Sequence, residues 1–133
     1  MPTISDLIFV DSDEEIRALF EDTVKEDFSE SVHIHVFKGF EEASRLLQEQ
    51  KINGVILDGL IYQPELTAFI SKIRGQYPRL PIIVLASYGD IALDQDFMKE
   101  LDRNHVRVVD KVEGLQREKT RELFAWCQET NAE

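Results

Sequence analysis

The chain has 133 residues, of which 43% are hydrophobic and 31% are charged, and its formal net charge is -11. This length predicts one domain with a single hydrophobic core. The negative charge disfavours nucleic acid and anionic membranes as direct partners. A single cysteine, Cys127, excludes an internal disulfide, and no apolar run reaches the length of a membrane span. With no signal-peptide pattern at the start, we expect a soluble cytoplasmic domain.

Five short apolar runs alternate with five segments of helical periodicity. The predicted strands are 7–10, 32–37, 54–58, 81–85 and 106–109. The predicted helices are about 13–25, 40–50, 66–73, 93–101 and 115–127. For the first helix, Ser12 and Glu15 have the spacing of a capping box. This alternation predicts an α/β fold, a doubly wound parallel sheet with helices on both faces.

The second predicted strand alternates with a period of two. Val32, Ile34 and Val36 lie on one face, and His33 and His35 lie on the other. This pattern is typical of an edge or half-exposed strand. Two histidines on one face suggest a metal pair, but no third ligand lies nearby, so surface histidines are the default interpretation.

Charged residues follow three of the predicted strands. Asp11, Asp58 and Lys111 end the first, third and fifth strands, and in a parallel sheet these ends share one edge. Two adjacent carboxylates repel unless a cation or a shared proton lies between them. A hard cation such as Mg²⁺ suits them, and the lysine suits a phosphoryl oxygen. The alternative is that each residue simply ends its strand and is solvated.

Over essentially its whole length the chain resembles the receiver domain of bacterial two-component response regulators, of the kind found in chemotaxis regulators. The resemblance rests on five segments: 10–17, Leu57–Asp58, Ile73–Arg74, 81–85 and Asp110–Lys111. It implies a flavodoxin-like fold with strand order 2-1-3-4-5. It also implies one receiver domain over residues 1–133 without an output domain, acting in signalling rather than as an enzyme.

The resemblance also implies a role for each residue at the strand ends. Asp58 corresponds to the phospho-acceptor, Asp11 to an acid-pocket residue near Mg²⁺, and Lys111 to the partner of the phosphoryl group. The phosphodonor would be a histidine kinase or a phosphotransfer protein. Signalling would then proceed through contacts with another protein or a second copy of the chain, where Trp126 is a candidate interface residue if it is exposed rather than packed on the core.

Three of the positions that depart from the family pattern bear on metal binding and switching. Ser12 replaces an acidic metal ligand, which should weaken Mg²⁺ binding, and Asp13 is the alternative source of that ligand. Ala86 replaces the hydroxyl residue that ends the fourth strand, and Val108 replaces the aromatic residue of the fifth. These departures favour a second hypothesis, a pseudo-receiver that binds a partner without phosphorylation. A flavodoxin-like enzyme or nucleotide binder is disfavoured because no glycine-rich phosphate loop follows the first strand.

Overall fold

The computed structural model describes residues 4–59, 63–87 and 95–132. Its strands are β1 (Ser5–Val10), β2 (Val32–Phe37), β3 (Gly54–Asp58), β4 (Ile82–Ala86) and β5 (Arg107–Asp110). Its helices are α1 (Glu14–Asp27), α2 (Phe40–Glu49), α3 (Gln63–Gln76), α4 (Gln95–Arg103), α5 (Lys111–Gly114) and α6 (Arg117–Ala132). The strands form one parallel sheet in the order β2-β1-β3-β4-β5. The predicted fold and strand order are therefore confirmed.

The central strands are buried on both faces, as their continuous apolar sequences predict. Successive side chains of β1 alternate between two cores. Leu7 and Phe9 pack with residues of α1 and α6, whereas Ile8 and Val10 pack with residues of α2, α3 and α4. The two cores hold the sheet between helical layers and fix the carboxyl ends of β1, β3 and β5 along one edge.

The start of α1 corrects the capping prediction. The N-cap is Asp13, whose Oδ1 atom accepts hydrogen bonds from the backbone N–H groups of Glu15 at 2.9 Å and Ile16 at 3.4 Å. Ser12 is exposed and lies one residue before the cap. The helix begins later because Asp11 Oδ1 accepts the N–H of Asp13 at 2.8 Å, which forms a turn before the helix.

The C-terminal third also differs from the prediction in detail. The last predicted helix, 115–127, is divided into the one-turn helix α5 and the longer α6. Thr120 Oγ1 donates to the carbonyl of Gly114 at 3.1 Å and so joins the two helices. The predicted start of the fourth helix at Leu93 lies outside the described residues. Among the described helices, none combines the length and apolarity needed to cross a membrane.

Cys127 is completely buried where α6 crosses the start of β3. A Cβ atom placed on Gly54 would lie 2.8 Å from Cys127 Sγ, so the thiol is packed directly against the strand backbone. Burial raises the pKa of the Cys127 thiol to about 12.

The buried thiol generates a prediction about alkaline pH. The pKa of this thiol is higher in the folded chain than in the unfolded chain. The stability that the protonated thiol contributes is therefore complete below its unfolded-state pKa and is lost as pH rises from there through its folded-state pKa. Between about pH 8 and about pH 10 this group should remove about 1.5–2 kcal/mol from the free energy of unfolding. Urea denaturation at both pH values measures the loss. The Cys127→Ala variant should lose less stability over the same interval, and an equal loss in both proteins would contradict the assignment.

Candidate functional site

The structure brings Asp11, Asp58 and Lys111 together. Lys111 Nζ lies 3.0 Å from Asp58 Oδ1 and 3.0 Å from Asp11 Oδ2. Asp11 is 0% exposed and Asp58 is 3% exposed, whereas the Lys111 side chain reaches the surface with 15% of its area exposed. One ammonium group therefore bridges two buried carboxylates.

Backbone contacts hold Asp11 in this position. Its N–H donates to the carbonyl of Phe37 at 3.1 Å, and its carbonyl accepts from Arg17 Nη1 at 2.8 Å. Its Oδ1 atom receives the N–H of Asp13. These three bonds attach Asp11 to β2 and α1, so its second oxygen, Oδ2, is left directed at Lys111.

The electrostatics of the site favour a further cation. Burial raises the pKa of Asp11, and the charge of Asp58 raises it further, although the N–H of Asp13 and Lys111 lower it in part. Burial alone would lower the pKa of Lys111, but its bonds to Asp58 and Asp11 outweigh this and raise it. Two carboxylates and one ammonium leave a formal charge of -1 in a largely buried place.

Asp11 Oδ2 has capacity for another ligand. It is paired with the Lys111 ammonium at 3.0 Å, and a carboxylate oxygen has a second lone pair that can accept a further donor or bind a cation. Such a buried oxygen is costly unless it binds a cation or a donor. The oxygen-only donor set of the two carboxylates suits Mg²⁺, which typically uses one or two carboxylates and keeps several waters.

The backbone after Asp58 packs closely on β4. Gly59 N–H donates to the carbonyl of Leu85 at 2.7 Å, and a Cβ atom on Gly59 would lie only 2.6 Å from Ala86 Cβ. Glycine is required here by this close approach. Ala86 itself is 1% exposed, so the end of β4 contributes a buried methyl group beside the backbone that follows Asp58.

The other predicted site positions lie around this centre. Asp13 is exposed and its carboxylate caps α1, whereas Ser12 is exposed without a capping role. Val108 is half-buried against the core that packs with α2, α3 and α4. Trp126 is half-buried, with the Arg107 guanidinium 5.3 Å from the centroid of its ring. It is thus neither a fully exposed anchor nor a core residue.

Sequence reasoning missed Asp6. Its Oδ1 atom lies 3.1 Å from His35 Nε2 and 3.4 Å from His33 Nδ1, so the two histidines do have a third potential ligand nearby. Only the pairing of the strands identifies Asp6 as a neighbour of the histidines, since the register of β1 and β2 places Asp6 opposite His33. His35 is mostly buried, with 20% of its side chain exposed, so the interpretation as a pair of surface histidines holds for His33 only.

No protein-family model and no curated protein matches the sequence. Among solved structures, the chain is similar to the signal receiver domain of an HD domain-containing protein from Pseudomonas fluorescens, with a TM-score of 0.80, 17% identity and coverage of 98% of this chain and 100% of that one. It is also similar to a response regulator receiver domain from Clostridium thermocellum, with a TM-score of 0.79, 13% identity and coverage of 97% and 98%. The N-terminal signal receiver domain of a two-component response regulator from Bacteroides fragilis has a TM-score of 0.75, 21% identity and coverage of 94% and 97%. The chain therefore has the receiver-domain fold, which confirms the predicted resemblance at the level of the fold.

The bridging role of Lys111 generates a stability prediction. Lys111→Met leaves two buried carboxylates without their cation and should lower the free energy of unfolding by about 3 kcal/mol at neutral pH. Because the folded-state pKa of Asp11 is already raised, the loss should shrink as pH falls toward about 4 and Asp11 becomes protonated. Urea denaturation at the two pH values measures both effects.

The matched control is Lys25→Met, which removes an exposed lysine 3.5 Å from Glu21. An exposed pair of this kind contributes about 0.5 kcal/mol or less. Equal effects of the two substitutions would show that Lys111 does not stabilise buried charge.

The close approach of Gly59 to Ala86 generates a second prediction. Gly59→Ala should lower the free energy of unfolding by about 1–3 kcal/mol, because the added methyl group must displace β4 or the backbone after Asp58. Gly75→Ala is the control, since Gly75 lies in α3 and a Cβ atom built there meets no atom within 4 Å among the described residues outside the nearby backbone of its own helix. That variant should be unchanged or more stable by up to about 1 kcal/mol. Thermal or urea denaturation compares the two, and a neutral Gly59→Ala would contradict the packing.

Proposed function

We propose that this chain is a phosphorelay receiver domain that accepts a phosphoryl group at Asp58 and signals through protein contacts. The observation that carries the proposal is the Lys111 ammonium within 3.0 Å of both buried carboxylates at one edge of a receiver-type sheet. The similar solved structures support the proposal, because those from Clostridium thermocellum and Bacteroides fragilis are described as response regulator receiver domains.

The reaction needs a nucleophile, charge neutralisation and a leaving group. A carboxylate oxygen of Asp58 forms a bond to phosphorus, the bond from phosphorus to the leaving group of the donor breaks, and the leaving group takes the electron pair. The product is an acyl phosphate on Asp58. Lys111 already lies beside this carboxylate, so its ammonium pairs with the oxygens of the incoming phosphoryl group.

The residues fit a Mg²⁺ ion. Asp11 and Asp58 would hold it, and when bound it supplies neutralisation of the phosphoryl oxygens. In this chain Asp11 contributes the buried Oδ2 atom, which is paired with the Lys111 ammonium and has a second lone pair for a cation. Asp13 is a weaker candidate ligand because its Oδ1 atom already accepts two backbone N–H groups of α1.

We expect the conformational response to phosphorylation to begin at Lys111 rather than at the end of β4. Ala86 offers no hydroxyl, and Val108 is not aromatic. Lys111 is the first residue of α5, so a phosphoryl group that draws its side chain away from Asp11 pulls on α5. Gly114 at the other end of α5 packs on Leu85 and accepts the hydroxyl of Thr120 in α6.

This linkage would pass a change at Asp58 to the surface formed by α4, β5 and α6. Trp126 lies on that surface, and Arg107 at the start of β5 packs over its ring. A half-buried aromatic ring beside an arginine is the combination that protein interfaces favour. We therefore propose this surface as the contact for a partner protein or a second copy of the chain.

Phosphorylation is tested by incubating the chain with Mg²⁺ and acetyl phosphate and recording the intact mass. We expect a labile phosphoryl adduct that is absent in Asp58→Asn and strongly reduced in Asp11→Asn, because each variant removes a carboxylate of the acid pocket. Asp13→Asn is the matched control, since asparagine caps a helix as well as aspartate does. It should retain the adduct, and a loss there would assign Asp13 to the metal site.

Absence of an adduct in the wild-type chain, together with failure to bind beryllofluoride, would contradict the proposal. The chain would then be a pseudo-receiver that binds its partner without phosphorylation. An adduct that persists in Asp58→Asn would place the acceptor elsewhere.

A further inference from the structure

A second group of ligating side chains lies toward the opposite end of β1 from the acid pocket. It consists of Asp6 on β1 and of His33 and His35 on β2. One carboxylate oxygen and one ring nitrogen from each histidine all lie within 4.8 Å of one another. We propose that these three residues form a site for a borderline divalent transition-metal ion, with Zn²⁺ as the ion bound most readily in the cell. This site is independent of the function proposed for Asp58.

The distances match those of a tetrahedral metal site. Zinc bonds of about 2.0–2.1 Å to nitrogen and oxygen place two ligand atoms about 3.3–3.4 Å apart. Asp6 Oδ1 is 3.1 Å from His35 Nε2 and 3.4 Å from His33 Nδ1. The contact to His33 has this separation, and the contact to His35, which is a hydrogen bond in the absence of a metal, is about 0.2 Å shorter. The two ring nitrogens lie within 4.8 Å of each other, so metal binding would require an adjustment of His33, whose side chain is 68% exposed.

The scaffold holds the less exposed ligands in place. In the parallel register Asp6 is opposite His33, and His35 follows two residues later on the same face. The backbone of Asp6 is fixed on both sides by Asn53, which accepts its N–H at 2.8 Å and donates to its carbonyl at 2.7 Å. The exposed side at His33 leaves the fourth position open to water, as in sites with three protein ligands.

The donor set separates this site from the acid pocket. Two imidazole nitrogens and one carboxylate favour zinc and its neighbours among the transition metals, whereas Mg²⁺ prefers oxygen alone. Without a metal, one carboxylate oxygen faces two imidazole rings whose centroids are 4.6 Å apart. One metal ion would coordinate all three groups.

The test titrates metal-free whole chain with Zn²⁺ in competition with a chromophoric chelator, in the presence of excess Mg²⁺. One equivalent of Zn²⁺ should bind. His33→Gln and His35→Gln should each weaken the affinity by at least about tenfold, since even loss of an outer-shell partner commonly costs that much. Because the His33 side chain is exposed, His33→Gln is expected to fold like the wild-type chain.

Two controls locate the ion. His105→Asn removes the remaining histidine, and asparagine tolerates the positive φ of 56° found there. Asp58→Asn removes a carboxylate of the acid pocket. Neither control should change the affinity for Zn²⁺, and long-range proton–nitrogen NMR spectra should show the metal on Nδ1 of His33 and Nε2 of His35.

Three results would overturn the proposal. They are the absence of Zn²⁺ binding, an unchanged affinity in His33→Gln and His35→Gln, and a loss of binding in Asp58→Asn. The last result would assign the ion to the acid pocket. Because Zn²⁺ binding and phosphorylation of Asp58 are measured separately, either proposal can fail without the other.

Discussion

The need to neutralise two buried carboxylates governs the carboxyl edge of this sheet. Asp11 and Asp58 are almost completely removed from water, and such groups are stable there only with a cation beside them. Lys111 supplies one positive charge and reaches both. Two carboxylates and one ammonium still leave a formal excess of one negative charge in a largely buried place. This excess is the physical basis on which a metal ion and a phosphoryl group are proposed for this edge.

The composition of this edge was predictable because it depends on order along the chain and not on detailed packing. Apolar runs of strand length alternate with helical segments, so the strands must be parallel and their carboxyl ends must share one edge. Asp11 and Asp58 end two such runs, and Lys111 follows a third after Asp110. Strand order therefore places them at one edge, and the packing of the structure brings the Lys111 ammonium to 3.0 Å from each carboxylate. Their role in phosphoryl transfer does not follow from the fold and is tested by phosphorylation of the chain.

Other features depend on contacts that one-dimensional patterns do not carry. Both Ser12 and Asp13 are good N-cap residues, and the choice between them is made by Asp11, whose side chain takes the N–H of Asp13. The third ligand beside His33 is 27 residues away in the chain, on the neighbouring strand, and only the register of β1 with β2 brings Asp6 opposite it. A search for ligands near in sequence could not have found it.

Ala86 in β4 and Val108 in β5 depart from the receiver-domain pattern, and the contacts around β4 and α5 show what replaces the usual polar group. A buried methyl group at Ala86 fits closely against Gly59, so the end of β4 is packed rather than polar. The polar connection that the structure does show from Asp58 runs through Lys111 into α5, and from Gly114 to Thr120 in α6. Gly114 is itself confined, because a Cβ there would lie 2.5 Å from Leu85 Cδ2. The one-turn helix α5 is thus held at both ends, by the ion pairs of Lys111 with the two carboxylates and by Gly114, which packs on Leu85 and accepts a hydrogen bond from Thr120.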